Sequence, residues 1–178
     1  MHQRALTLNN FCQALDVLLD ICDEYAQGRD DVRSAAMKTL VNLVDAFLEG
    51  KELICQVAHA LHAVVNIIKN GTEASKGNAC YLLANLLELS SKVVEDTVII
   101  PGSVEALVDV LMTGTDFAMS NASRALGNIV DENVRMAAMV VANERALVSM
   151  VKVVQNGRDK SRGNACQALG KNSQKYSM

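Results

Sequence analysis

Two series of asparagines recur along this 178-residue chain at a constant interval of 43 residues: Asn42, Asn85 and Asn128, and Asn78, Asn121 and Asn164. A carboxamide offers one acceptor oxygen and two N–H donors, the complement of the C=O and N–H groups of an extended peptide backbone. Carboxamides spaced regularly on one surface can therefore hold a strand-like segment without reading its side chains. They can equally brace neighbouring stretches of their own chain or bond their own turns. Asparagine is a mediocre helix former, so local structure alone gives no reason for it at these places.

Other candidate chemistry is weaker. Cys55, His59 and His62 fall at i, i+4 and i+7 in LICQVAHALHAVV, which on one continuous helix would put three ligand atoms on one face. Structural zinc draws four ligands from two elements, and no second cluster lies near in sequence. No metal and no cofactor is expected, and the histidines are assigned to packing between repeats. The five cysteines, Cys12, Cys22, Cys55, Cys80 and Cys166, form no C-x-x-C pair and sit among Ala, Leu and Val at helical spacing. They read as buried, reduced core residues. The stretch Gly163 to Ser173, GNACQALGKNS, misses the spacing of a phosphate loop, and neither G-x-S-x-G nor H-E-x-x-H occurs. An enzyme is not expected.

The elements that must position these residues are set by an internal repeat. Gly28, Gly71, Gly114 and Gly157 stand 43 residues apart, with Ala36, Ala79, Ala122 and Ala165 eight positions on and Leu40, Leu83, Leu126 and Leu169 twelve on. Leu43, Leu86 and Ile129 follow at fifteen, where the last unit has Asn172. An apolar helical stretch precedes each glycine, as in LHAVVNIIKNG and VEALVDVLMTG, and another follows it. The glycine is therefore expected to end one helix in a left-handed turn. Segments such as SSKVVEDTVI and DENVRMAAMVV hold a further short helix, and Pro101-Gly102 breaks the third unit. Two long helices and a short one per unit make an all-α solenoid whose units are stable only when stacked. The expected units are about 1–50, with a short opening helix, then about 51–93, about 94–136 and about 137–178, the last truncated or acting as a C-terminal cap, in one domain spanning 1–178.

On the last helix of each unit, positions 3, 7, 10 and 14 after the glycine share one face. They hold Asp31, Ala35, Lys38 and Asn42; Ala74, Asn78, Tyr81 and Asn85; Phe117, Asn121, Arg124 and Asn128; and Lys160, Asn164, Gln167 and Lys171. Six of these sixteen are asparagine, against fourteen in the whole chain, where chance would place little more than one. Four bases, Lys38, Arg124, Lys160 and Lys171, face one acid, Asp31, in a chain of net charge −3. Such a strip suits an acidic or phosphorylated segment, and Tyr81 and Phe117 can form an apolar shelf in its middle.

The period, the glycine turn and the pattern A-x-x-x-L-x-N, ending at Asn42, Asn85 and Asn128 with Lys171 in the fourth copy, resemble armadillo repeats, the family of β-catenin and importin-α. HEAT repeats share the architecture with two helices per unit; the asparagine column and the single proline favour the armadillo type. The resemblance implies a right-handed alpha-alpha superhelix whose third helices line a concave groove that binds an extended protein segment. Where importin-type repeats carry tryptophan, this chain has Lys38, Tyr81, Arg124 and Gln167, which argues against basic nuclear-localisation peptides.

Composition sets the bounds. Half the residues are hydrophobic but only 3% are aromatic, and the charge of −3 argues against a general nucleic-acid binder. MHQRALTLNNF has no apolar run suited to secretion and no stretch approaches a membrane span, so a cytoplasmic protein, also present in the nucleus, is expected. The alternative function is a scaffold unit, or part of a longer armadillo protein, that associates through its open ends. The carboxyl end, where Asn172 stands in the apolar column and the chain reads KNSQKYSM, is expected to be incompletely capped, with self-association through that edge or a continuation of the chain as the two alternatives.

Overall fold

The computed structural model describes residues 2–24, 30–47, 49–57 and 59–175, and among them every regular element is a helix. In chain order these are α1 (His2–Glu24), α2 (Asp30–Ala46), α3 (Gly50–Gln56), α4 (Ala60–Asn70), α5 (Glu73–Leu86), α6 (Ser91–Val98), α7 (Ser103–Thr113), α8 (Asp116–Glu132), α9 (Val134–Ala142), α10 (Glu144–Asn156) and α11 (Asp159–Lys175). From α3 onward they form triplets of short, middle and long helix, stacked as a right-handed alpha-alpha superhelix of the armadillo type. The opening helix is not short. It is a single helix of 23 residues, and it packs on α2 and α4 as α4 packs on α5 and α7.

Capping residues decide where units begin. The Ser90 hydroxyl accepts from Val93 N–H at the start of α6, and the Asn133 side chain accepts from Met136 N–H at 3.0 Å at the start of α9. These caps supply acceptors to otherwise unsatisfied first-turn amides. The boundaries expected at 93/94 and 136/137 therefore fall inside α6 and α9.

The repeat glycines end helices for a reason other than the expected one. Gly71, Gly114 and Gly157 close α4, α7 and α10 with φ of −79, −75 and −74°, outside the left-handed region. A Cβ at these positions would lie 2.6, 2.7 and 2.6 Å from the carbonyl oxygens of Ile67, Val110 and Val153, the same oxygens that accept the glycine N–H. Glycine is needed because the chain turns tightly against the last carbonyls, leaving no room for a side chain. Thr72 and Thr115 follow at once and cap α5 and α8 by accepting from Ser75 and Ala118 N–H. Among the described residues only Gly102 has positive φ, at 78°, directly after Pro101. Gly28 lies outside the described residues.

Two layers result. The long helices α2, α5, α8 and α11 lie side by side, with α1, α4, α7 and α10 behind them. Ala36, Ala79, Ala122 and Ala165 are buried where long helices meet, and Leu40, Leu83 and Leu126 are fully covered while Leu169 is half-buried. Nine positions after each glycine, Met37, Cys80 and Ser123 are buried but Cys166 is exposed, because no further described helix packs against that side of α11. The same edge leaves Val151 on α10 43% exposed, where its counterparts Val65 and Val108 are 1% and 0%. The expectation of five buried cysteines is corrected accordingly. Cys22 and Cys80 are buried, Cys12 and Cys55 are half-buried, and Cys166 is open to solvent. Burial pushes the Cys80 thiol up to about 12 and, helped by Glu52 and Asp96, the Cys55 thiol up to about 11, so both stay protonated and poorly nucleophilic near neutrality.

Leu83→Ala and Leu126→Ala should each cost about 2–5 kcal/mol in chemical denaturation, through lost burial and a residual cavity. Gly114→Ala should cost about 1–3 kcal/mol, the range of overpacking, although the backbone dihedral suits alanine. Equal stability of Gly114→Ala and the parent would contradict the steric origin of the glycine column.

Candidate functional site

Stacking the long helices aligns their solvent-facing sides into one groove. On α2, Asp31, Ala35, Lys38 and Asn42 are all exposed. On α5, Ala74 is exposed, Asn78 and Tyr81 are half-buried, and Asn85 is only 6% exposed. On α8, Phe117 is exposed, Asn121 is only 6% exposed, and Arg124 and Asn128 are half-buried. On α11, Lys160 and Gln167 are exposed and Asn164 is half-buried. The side chain of Lys171 lies outside the described residues.

The centre of the groove is a bonded cluster. Tyr81 donates its hydroxyl to Asp45 Oδ2 at 3.0 Å, joining α5 to α2. Its ring stacks on Phe117, with centroids 6.3 Å apart and planes 26° from parallel, joining α5 to α8. The Arg124 guanidinium lies 5.6 Å from the Tyr81 ring centroid, and its Nη2 donates to Asn85 Oδ1 and, at 3.5 Å, to the Tyr81 carbonyl. Glu88 Oε1 stands 3.7 Å from Arg124 Nε, an ion-pair distance too long for a hydrogen bond.

The asparagines divide by what they bond. Asn128 donates Nδ2 to the Ala84 carbonyl at 3.1 Å, and Asn164 donates to the Ser120 carbonyl at 2.9 Å and its hydroxyl at 3.1 Å. Each reaches back 44 residues, so these carboxamides tie α8 to α5 and α11 to α8. Asn121 donates to the Phe117 carbonyl at 2.8 Å, closing a turn of its own helix. Asn85 differs because its oxygen accepts from Arg124, so the atoms left unbonded to described residues are the Nδ2 donors of Asn85 and the oxygens of Asn121, Asn128 and Asn164. Asn42 and Asn78 bond no described residue.

Two sets of groove residues escaped the sixteen-position face. Asp45, Glu88 and Asp131 recur at the 43-residue interval, three positions beyond the Asn42 column; Asp45 and Asp131 share its side of α2 and α8, while Glu88 lies in the turn after α5. They add acids to the strip of bases and account for the partners of Tyr81 and Arg124. Gly77, Ser120 and Gly163, also 43 apart, supply small residues along the floor. The shared period was the available signal for both. Lys38 and Lys160 remain exposed without an ion pair to a described residue.

Between α8 and α11 the groove opens into a space of about 640 Å³ lined by Tyr81, Phe117, Ser120, Asn121, Arg124, Asp159, Lys160, Gly163, Asn164 and Gln167. The residues weighed as metal ligands do not form a site. Cys55 ends in α3, His59 precedes α4, and the chain bends between them, so the continuous helix required by their spacing is absent. His59 Nε2 instead lies 3.2 Å from Asp20 Oδ1 on α1, a contact between units. No group of three or more ligand-type side chains suited to a metal occurs among the described residues. No helix among them is long and apolar enough to cross a membrane.

No family model matches the chain, and no curated protein matches it. Solved structures do. A crystal structure of an engineered protein from a structural genomics consortium superposes with TM-score 0.77 at 21% identity, covering 90% of this chain and 64% of that one. Computationally designed armadillo repeat proteins for modular peptide recognition give 0.74 at 20%, covering 88% and 63%. A designed armadillo repeat protein in complex with the peptide (KR)4 gives 0.70 at 18%, covering 94% and 68%. The chain therefore spans a little under two thirds of the first and second of these structures, and the likeness establishes the armadillo fold.

Arg124→Met, which keeps the apolar stem but leaves Asn85 Oδ1 and the Tyr81 carbonyl without their donor, should lower stability by about 1–3 kcal/mol in urea denaturation. An unchanged midpoint would show that the Tyr81–Arg124–Asn85 cluster contributes nothing to the stack.

Proposed function

We propose that this chain is a non-enzymatic interaction module that holds an extended protein segment along the groove of α2, α5, α8 and α11. The observation that carries the reading is the opposed polarity of successive asparagines. Asn85 offers N–H donors while Asn128, one unit on, offers an acceptor, so an extended backbone lying across both can place a carbonyl at the first and an amide at the second. The fold supports it, since structural neighbours include designed armadillo proteins made for peptide recognition and one in complex with a peptide.

The ligand is proposed to carry an acidic or phosphorylated residue. Arg124 is committed to Asn85, Tyr81 and Glu88, so among the described groove side chains the cations left for it are Lys160 at the α11 end and Lys38 at the α2 end. The site of action is proposed to be the cytoplasm, with the nucleus also open to it.

A second reading has its own observation. Val151 and Cys166 are exposed at positions that are covered elsewhere in the stack, which favours a scaffold unit associating through that edge. A molar mass by light scattering that rises with concentration would support it.

The groove is tested with peptides selected from a random phage-displayed library against the purified chain, then titrated by fluorescence. Asn85→Ala with Asn128→Ala should weaken binding roughly ten- to a hundredfold, at about 0.5–1.5 kcal/mol per hydrogen bond. Loss of the Asn128 bond to Ala84 should also lower stability slightly. Lys160→Glu should slow association of acidic peptides, most at low salt, whereas Lys92→Glu on α6, paired only with Asp96 four residues along, should change little. Binding that ignores the asparagine pair but is abolished from the opposite face would overturn the proposal.

A further inference from the structure

We infer that the space between Phe117 and the first turns of α11 is a seat for one aromatic side chain of the bound segment, flanked by an acidic residue. The inference rests on the groove reading and gives it a specificity. Phe117 is 52% exposed although it is a large apolar ring. One side of it is used, stacked on Tyr81 and pressed against Gly77, where a Cβ would lie 2.9 Å from Phe117 Cδ1. The remaining ring surface borders the 640 Å³ space and an adjoining recess of about 420 Å³ that shares Phe117, Ser120, Asp159 and Lys160.

Opposite Phe117 stands Gly163, two repeat intervals from Gly77. The two glycines sit at equivalent places on α5 and α11, yet their surroundings differ. Gly77 is covered by the Phe117 ring, whereas a Cβ at Gly163 would meet nothing within 4 Å. Gly77 faces the following long helix, α8, and the residue at the same place that faces α11 is Ser120, which Asn164 meets through its carbonyl and hydroxyl. A ring entering the space meets Phe117 at a side wall, Ser120 and Asn121 below, and the Asn164 oxygen at the edge. Aromatic rings stack favourably on one another at centroid separations of about 4.5–7 Å, the same relation Phe117 already has with Tyr81.

Charge around the seat selects what lies beside the ring. Lys160 is exposed and unpaired among the described residues, while Asp116 is neutralised by Arg158 at 2.7 Å. Asp159 is the acid on this rim without an ion pair to a described residue, and it makes a basic side chain over Phe117 the competing occupant.

The selected library peptides decide between these. The expected result is enrichment of Phe, Tyr or Trp at one position with Asp or Glu nearby. Replacing that aromatic by alanine should weaken binding at least tenfold. Phe117→Ala should do the same to the parent peptide but change the alanine-substituted peptide less than twofold. The variant should keep the parent's helical circular dichroism. Peptides that carry Lys or Arg there, or no preferred residue, and still depend on Asn85 and Asn128 would overturn the seat while leaving the groove. Failure to enrich any peptide, or binding indifferent to both sets of substitutions, would overturn both.

Discussion

Each long helix of this protein is apolar on two flanks, and neither can be covered from within its own unit. That constraint governs the rest. Ala79 and Leu83 on α5 are buried where α2 and α8 close on either side and α4 packs behind, and Ala122 and Leu126 on α8 where α5 and α11 do so with α7 behind. Small alanines let the helices approach and leucines fill the space between them, so hydrophobic stabilisation arises chiefly at contacts between units. The exposure of Cys166 and Val151 at the last unit shows the same rule with one neighbour missing.

Side-by-side packing brings every long helix to the surface along one line, where polar groups must serve two ends. Asn128 and Asn164 each donate to a backbone carbonyl of the preceding long helix, and Tyr81 reaches Asp45 in the other direction. These bonds tie neighbouring long helices together and use one end of each carboxamide, leaving its oxygen unbonded to described residues. Bracing and presentation are thus compatible. A carboxamide held at one atom loses less freedom when a ligand bonds the other, which is the benefit of preorganisation.

Electrostatics in the groove follows from helical geometry more than from the sum of charges. The column Asp45, Glu88 and Asp131 lies three positions beyond Asn42, Asn85 and Asn128, close enough for Glu88 to face Arg124. Among the described residues the apparently positive strip becomes one cation, Arg124, facing Glu88, with Lys38 and Lys160 exposed at either side.

The sequence by itself determined the class of fold, the 43-residue unit, the alanine and leucine columns of the core and the face carrying the asparagines. It could do so because helical periodicity and stacking require the same residue types at the same place in every unit. Only tertiary structure decided what each groove residue bonds. Asn85 accepts from Arg124, 39 residues away in sequence, while Asn128 in the same column donates to Ala84; identical residues at identical offsets acquire opposite polarity because their neighbours on the adjoining helix differ. The repeat glycines show the same division. Their recurrence is plain in the chain, but whether they answer to a positive φ or to a carbonyl 2.6–2.7 Å from an absent Cβ depends on how the chain leaves its own helix, which the recurrence of a glycine does not show.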